Sequence, residues 1–82
     1  MKIMCILETS EVAEYIQSRN LMNQYKKVKG YILAGHTSGA HLRKREPKGD
    51  NIWYFRINKK FRAFAYLDGA TLKIFHIDDH QE

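Results

Sequence analysis

The chain opens with an uninterrupted apolar segment. Residues 3–7 are all apolar, which predicts a short strand buried on both faces of a sheet. Under this interpretation Cys5 is an inert packing residue and Met4 fills the core. The run is far shorter than the ~18–20 residues that a membrane-spanning helix needs.

Helical spacing follows the apolar run. Thr9 and Ser10 offer an N-cap, and apolar residues then recur at helical intervals over residues 10–34. A weak break near residues 18–20 leaves two alternatives, a helical hairpin or one bent helix. Asn20 is the candidate cap of the second helix, and Gly35 is the candidate left-handed residue that ends it.

From residue 41 the apolar period changes to two. This alternation predicts strands over residues 41–45, 52–57, 61–67 and 71–77, with a break at residues 47–50. Asp68-Gly69 between two alternating runs indicates a tight hairpin, because both central positions of such a turn need positive φ. We therefore predict one α+β domain over residues 1–82. It has an N-terminal strand, a helical hairpin and a mainly antiparallel four-strand meander, with the helices on one face of the sheet.

Strand parity divides the meander into two faces. If residues 58–60 form a three-residue loop, one face is apolar and faces the helices, and His76 falls on that face as a structural histidine. The opposite face then displays cationic and aromatic side chains. The predicted core face is Trp53, Phe55, Ile57, Phe61, Ala63, Ala65, Leu72 and Ile74, and the opposite face is Tyr54, Arg56, Arg62, Phe64, Tyr66, Thr71, Lys73 and Phe75.

Charge is concentrated in the middle of the chain. The 82 residues carry a net charge of +5, and residues 41–66 hold eight basic against two acidic side chains. Such a block indicates a polyanion partner or, alternatively, a solvated basic face. The single cysteine excludes an internal disulfide and a Cys-based zinc site, and it fits a cytoplasmic protein. The histidines are too scattered to indicate a metal. We also expect no cofactor, and the short apolar run gives no reason to expect membrane association.

The candidate chemistry is RNA cleavage. Arginine matches phosphate oxygens with its planar fork, so Arg56 and Arg62 are the candidates for stabilising a phosphorane. His80 or Glu46 would transfer the protons. The alternative is that the two arginines form surface ion pairs with Asp78 and Asp79, or that residues 78–80 are only a polar terminus. The candidate RNA-binding residues are Arg43, Lys44, Arg45, Tyr54, Lys59, Lys60, Tyr66 and Lys73.

The C-terminal half resembles the RelE/ParE/HigB toxin superfamily of bacterial toxin–antitoxin systems. The resemblance rests on the basic segment at 42–45, the Trp53-x-x-Arg56 strand, the Arg62 strand with its tight turn at 68–69, and a last strand that ends near His80. It covers residues 41–81 well, whereas residues 1–40 match only in helical hairpin and position. The chain ends in Gln81-Glu82, where some members have a Tyr or further basic residues.

The resemblance implies a microbial-RNase-like sheet and a cognate antitoxin as partner. In the RelE, YoeB and HigB branches it implies cleavage of mRNA in the ribosomal A site, with Arg56 and Arg62 at the scissile phosphate, Lys44 and Arg45 on the RNA, and His80 as acid–base. The ParE branch shares the fold and inhibits DNA gyrase without nuclease chemistry. A gyrase inhibitor and a plain nucleic-acid-binding module therefore remain the alternatives.

Overall fold

The fold is the α+β arrangement predicted from the sequence. It is seen in a computed structural model that describes residues 2–45 and 51–79. The elements follow one another in the predicted order, and the 10–34 segment forms two helices rather than one. In chain order they are β1 (Cys5–Glu8), α1 (Ser10–Ser18), α2 (Met22–Leu33), β2 (Arg43–Lys44), β3 (Ile52–Arg56), β4 (Phe61–Asp68) and β5 (Thr71–Asp79).

The strands form one sheet with the order β1-β5-β4-β3-β2 over the described residues. β1 runs parallel to β5, and β2 to β5 form the predicted antiparallel meander. Both helices pack on one face, where Ile16 and Ile32 join Phe55 in a common apolar core. The other face, called the outer face below, carries Tyr54, Arg56, Arg62, Phe64 and Tyr66.

Two of the three predicted helix ends are confirmed, and the third is wrong. Thr9 caps α1, because its Oγ1 accepts a hydrogen bond of 3.1 Å from the Val12 amide. Gly35 follows α2 with φ of +88°, the left-handed conformation expected of a C′ glycine. The prediction that Asn20 caps α2 was wrong: Leu21 occupies the cap position without a side-chain hydrogen bond, and Asn20 turns the chain with φ of +58°.

β1 does not have two buried faces. It is an edge strand, and the helices cover only one side of the sheet, so Ile6 is buried while Leu7 is half exposed. Cys5 and Met4 are exposed as well, and the prediction that they pack in the core was wrong. A continuous apolar run predicts burial on both faces only when a second layer covers the sheet.

The β3–β4 hairpin has the predicted register. Phe55 lies opposite Ala63, and Asn58 Oδ1 closes the loop by accepting hydrogen bonds from the Lys60 and Phe61 amides. Every residue of the predicted core face is buried except Trp53, which is half-buried against the core. The two predicted faces of this hairpin are confirmed.

The β4–β5 hairpin departs from the predicted register in two ways. A turn centred on Asp68-Gly69 would pair Leu67 with Ala70. Instead Asp68 pairs with Thr71 and Gly69-Ala70 form the two-residue connection, so the register moves by two positions and the faces are preserved. A bulge then makes Phe75 an extra residue between two ladder pairs. Beyond the bulge Ile77 enters the core and His76 is exposed on the outer face, opposite Phe64. The prediction of a core His76 was therefore wrong.

Tyr25 of α2 is buried near Glu8 of β1. Burial first, and then the negative charge of Glu8, raises the pKa of the Tyr25 phenol. The Lys29 ammonium lies 3.5 Å from Glu8 Oε1 and 5.0 Å from the centre of the Tyr25 ring. The phenol therefore remains protonated at physiological pH.

The bulge can be tested through stability. Ile77→Val removes one methylene from a side chain that is 7% exposed. Because such losses usually cost about 0.5–1.5 kcal/mol, we expect a drop of that size in the free energy of unfolding, measured by urea denaturation. His76→Ala is the matched control and should change it by no more than about 0.5 kcal/mol. The reverse order would contradict the observed register.

Candidate functional site

The outer face contains a cleft at the end of the sheet near β2. It has a volume of about 210 Å³ and is lined by His41, Arg43, Tyr54, Arg56 and Arg62; we call it the arginine cleft. The antiparallel register brings these residues together, because Arg43 lies opposite Tyr54 and Arg56 lies opposite Arg62. Side chains directly opposite each other on one face are close neighbours.

The arginines of the cleft are not neutralised. Within residues 2–45 and 51–79, neither Arg56 nor Arg62 forms an ion pair, although Asp78 is the cross-strand neighbour of Arg62. Asp79 instead lies 3.8 Å from the Lys60 ammonium. The surface ion pairs considered for these arginines are therefore not formed in this structure.

Two like charges placed directly opposite each other in a sheet destabilise it. Arg56 and Arg62 occupy such a pair of positions, and the guanidinium of Arg62 lies 5.6 Å from the centre of the Tyr54 ring. The ring gives Arg62 a cation–π contact that restricts its position. Because neither arginine forms an ion pair within the described residues, the pair is suited to bind an anion.

His41 is the functional candidate that the sequence analysis missed. It is exposed in the cleft and adopts φ of +55°, which is uncommon for a non-glycine residue. The preceding residue, Ala40, is buried, and its carbonyl accepts a hydrogen bond of 3.0 Å from the Arg56 amide. These constraints fix the backbone of His41 beside Arg56.

A local signal for His41 is present in the sequence. It immediately precedes the basic segment at 42–45, at the end of the loop that leaves α2. The scatter of the four histidines along the chain argues against a metal, but it does not argue against one acid–base residue. His76 also lies on the outer face, because the bulge in β5 turns it away from the core.

Lys44, Arg45 and Lys73, which were predicted to bind RNA, do not line the cleft. Lys44 pairs with Trp53, so it is on the helix side of the sheet, and its ammonium lies 6.0 Å from the Trp53 ring. Arg45 donates its amide to the Ile52 carbonyl just beyond β2. Lys73 lies 2.9 Å from Asp68, an exposed ion pair. Of the predicted basic segment, Arg43 alone lines the arginine cleft.

Aromatic side chains continue from the cleft across the outer face. The centre of the Tyr54 ring lies 5.8 Å from that of Phe64, which in turn lies 6.0 Å from that of His76. One step further along β4, Tyr66 stacks on Phe75 with 4.6 Å between ring centres. The predicted RNA-binding residues Tyr54 and Tyr66 thus belong to a strip of exposed and half-buried rings.

Some predicted features fall outside the described part of the chain. His80 and Glu46 lie in the segments 80–82 and 46–50, which the structure does not describe. Over residues 2–45 and 51–79, no three His, Cys, Asp or Glu side chains are grouped as metal ligands. In the same residues, no helix has the length and apolar character to cross a membrane.

The arrangement combines three chemical capabilities in one place. Arg43, Arg56 and Arg62 offer charged forks for phosphate oxygens. His41 offers an imidazole that can accept or donate a proton. The aromatic strip offers flat faces for unpaired bases, whose stacking is largely independent of sequence. These groups together could bind the phosphates and the unpaired bases of a single-stranded nucleic acid.

Solved structures with a similar fold include a bacterial toxin–antitoxin complex. The E. coli DinJ–YafQ toxin–antitoxin complex contains a chain that matches at TM-score 0.68 and 11% identity, covering 92% of this chain and 90% of that one. YafQ from E. coli strain BL21(DE3) matches at TM-score 0.67 and 10% identity, covering 90% of each chain. No protein-family model and no curated protein matches the sequence. The protein shares the fold of these structures over nearly its whole length.

Proposed function

We propose that this protein is the toxin of a toxin–antitoxin system and that it cleaves mRNA on the ribosome. The observation that carries the proposal is the arginine cleft, where His41 lies among three arginines that form no ion pair within the described residues. The shared fold with a chain of the DinJ–YafQ toxin–antitoxin complex supports it. We place the cleavage on the ribosome because residues 41–81 resemble the RelE/ParE/HigB superfamily, whose RelE, YoeB and HigB branches cleave mRNA there.

RNA can be cleaved by its own 2′-hydroxyl group. His41 accepts the proton of that hydroxyl as its oxygen attacks phosphorus, and Arg56 and Arg62 stabilise the charge that develops on the phosphorane. The 5′-oxygen then leaves with a proton, and the products are a 2′,3′-cyclic phosphate and a 5′-hydroxyl. His80 is the proposed donor of that proton, since in the sequence it follows Asp78, the neighbour of Arg62, by two residues.

The aromatic strip extends the proposed RNA site from the cleft across the outer face. Tyr66 lies four residues beyond Arg62 on the same face of β4, a distance of about 13 Å at 3.2–3.4 Å per residue. Nucleotides next to the scissile phosphate can therefore stack along Tyr54, Phe64 and Tyr66. Lys73, the cross-strand neighbour of Tyr66, also lies there, and a phosphate of the outermost nucleotide would replace Asp68 as its ion-pair partner.

The proposed partner is an antitoxin, and the proposed location is the cytoplasm, where mRNA is translated. YafQ is found in complex with DinJ in a toxin–antitoxin structure. An acidic antitoxin segment is the natural complement of a chain with net charge +5. The gyrase inhibitor of the ParE branch remains the alternative, but it does not account for a histidine held in a cationic cleft.

A pair of measurements distinguishes these functions. The gene is induced in a bacterial host, RNA 5′ ends are mapped across the transcriptome, and DNA gyrase is assayed with the purified protein. We expect new cleavage sites inside translated mRNAs and normal gyrase supercoiling. Intact mRNA together with inhibited gyrase would assign the protein to the ParE-like function instead.

Salt dependence tests the electrostatic part of the proposal. Each phosphate contact with a single strand contributes about 0.7 to the slope of log K against log salt. Arg43→Ala should therefore flatten the slope for a noncleavable 2′-O-methyl oligonucleotide by about that amount. Lys44→Ala removes an equal charge on the helix side of the sheet and should change the slope less. Equal slopes for parent and Arg43→Ala would contradict the contact.

A further inference from the structure

A second depression borders the arginine cleft on the side of α2. Its volume is about 390 Å³, within the range of roughly 300–1,000 Å³ that is usual for ligand pockets. We call it the α2 groove. Its lining residues are Gln24, Lys27, Val28, Tyr31, Gly39, His41, Arg56, Ile57, Asn58 and Lys59.

The α2 groove and the arginine cleft share two residues. His41 and Arg56 line both, so the two depressions meet at the histidine. A ligand chain that places a phosphate on Arg56 therefore has the groove directly beside it. The groove is a continuation of the proposed active site rather than a separate surface.

The charged residues of the groove are all cationic. Lys27, Arg56 and Lys59 line it, and no acidic side chain is among the described residues that do so. This charge pattern fits an anionic ligand and disfavours a basic one. The floor is apolar, because Val28 and Ile57 are buried beneath it.

Tyr31 supplies a flat aromatic surface in this groove. Its side chain is 40% exposed although it belongs to a packed helix. The ring borders the loop that carries His41, since a methyl group added to Gly39 would lie 3.8 Å from Tyr31 Cδ2. An exposed ring beside cationic side chains is the combination that proteins use to hold an unstacked base.

Asn58 adds a polar group with a defined role. Its side-chain carbonyl is already used, because it accepts the amides of Lys60 and Phe61. The side-chain NH₂ is therefore the part of Asn58 that is available to a ligand, and it can only donate. Gln24, on α2, offers both a donor and an acceptor.

We propose that the α2 groove is a nucleotide subsite that takes a base of single-stranded RNA adjacent to the scissile phosphate, stacked on Tyr31. This inference rests on the proposed function and extends it to substrate selection. The base lies against Tyr31 over the apolar floor, and its edge contacts the amides of Gln24 and Asn58. The phosphates of the RNA backbone beside this base contact Lys27 and Lys59. The groove therefore contributes to which RNA sequence is held for cleavage.

The test uses binding rather than cleavage. The probe is a fluorescein-labelled 2′-O-methyl hexanucleotide of random sequence, which lacks the attacking hydroxyl, and the full chain is titrated at low salt. Base stacking on an aromatic side chain is worth about 1–3 kcal/mol, so Tyr31→Ala should weaken binding by roughly 5- to 150-fold. Tyr31→Phe keeps the ring and should bind like the parent.

Two matched controls accompany these variants. Leu33→Ala removes an apolar side chain of similar exposure, 45%, from the same helix outside the groove, and should leave binding unchanged. Lys27→Gln should weaken binding more than Lys26→Gln, since Lys27 lines the groove and Lys26 does not. The lysine pair keeps the test valid if Tyr31→Ala does not fold.

The outcomes separate this inference from the proposed function. If the parent cleaves mRNA but Tyr31→Ala binds like Leu33→Ala and Lys27→Gln like Lys26→Gln, the subsite is overturned and the nuclease stands. Tyr31-dependent binding by a parent that cleaves nothing supports the subsite and removes the proposed function. An octaglutamate peptide whose binding depends on Tyr31, with no such dependence for the oligonucleotide, would assign the groove to a protein partner and overturn the subsite.

Discussion

His41→Asn is expected to lower the rate of RNA cleavage by about 10²–10⁴, the usual contribution of a positioned general acid or base. Asparagine is the suitable replacement because His41 has φ of +55°, and asparagine tolerates the left-handed region better than most residues. The backbone of the cleft should therefore persist while the proton-transfer group is lost. Single-turnover cleavage of a defined mRNA on purified ribosomes measures the effect.

The matched control is His36→Asn. His36 is exposed in the same loop, but it does not line the arginine cleft. This variant should cleave at the parental rate, and both variants should unfold at the parental urea concentration. The pH dependence of the rate should change in His41→Asn alone. Parental cleavage by His41→Asn would remove this residue from the mechanism.

Arg62→Ala is expected to lower the cleavage rate by about 10²–10³, or ~2.7–4 kcal/mol of barrier, the loss found when one preorganised donor to a developing anion is removed. The guanidinium lies on the outer face over Tyr54, so its loss leaves the core intact. Arg62→Lys retains the charge but not the planar fork, so its cleavage rate should lie between those of the parent and Arg62→Ala. The readout is kcat at saturating mRNA.

Arg19→Ala serves as the control for charge. Arg19 follows α1 and is exposed, with its guanidinium 5.1 Å from the centre of the Tyr15 ring and outside the cleft. It removes the same net charge, so it should leave kcat unchanged. An equal loss of kcat in Arg19→Ala and Arg62→Ala would show that overall charge, and not the position of Arg62, governs the reaction.

Much of the fold can be predicted from periodicity because one layer of helices covers one face of the sheet. Thr9 and Gly35 end helices as their types suggest, and the alternation in β3 and β4 identifies the core face. Arg56 and Arg62 reach the same face because the β3–β4 loop has three residues, which is a purely local feature. The shared face of Arg56 and Arg62, the main candidates for phosphate binding, could therefore be predicted from the sequence.

The features that could not be predicted from the sequence depend on contacts between distant parts of the chain. The bulge at Phe75 has no signature in the alternation of β5, yet it decides that His76 faces outward and Ile77 inward. The outer face of β1 is exposed because the helices cover only the other side of the sheet, and this coverage follows from how the elements pack rather than from the composition of β1. His41 enters the cleft through a loop with a positive φ and a hydrogen bond from β3, and both arise only in the folded chain.

The central claim is that the arginine cleft promotes attack by the RNA 2′-hydroxyl. The most direct measurement places a single 2′-deoxynucleotide at the mapped cleavage site of a ribosome-bound mRNA and compares it with the all-ribose message. We predict that the all-ribose message yields a 2′,3′-cyclic phosphate and a 5′-hydroxyl, while the deoxy-substituted message is not cut at that site. Cleavage of both messages at equal rates, or of neither, would contradict the claim.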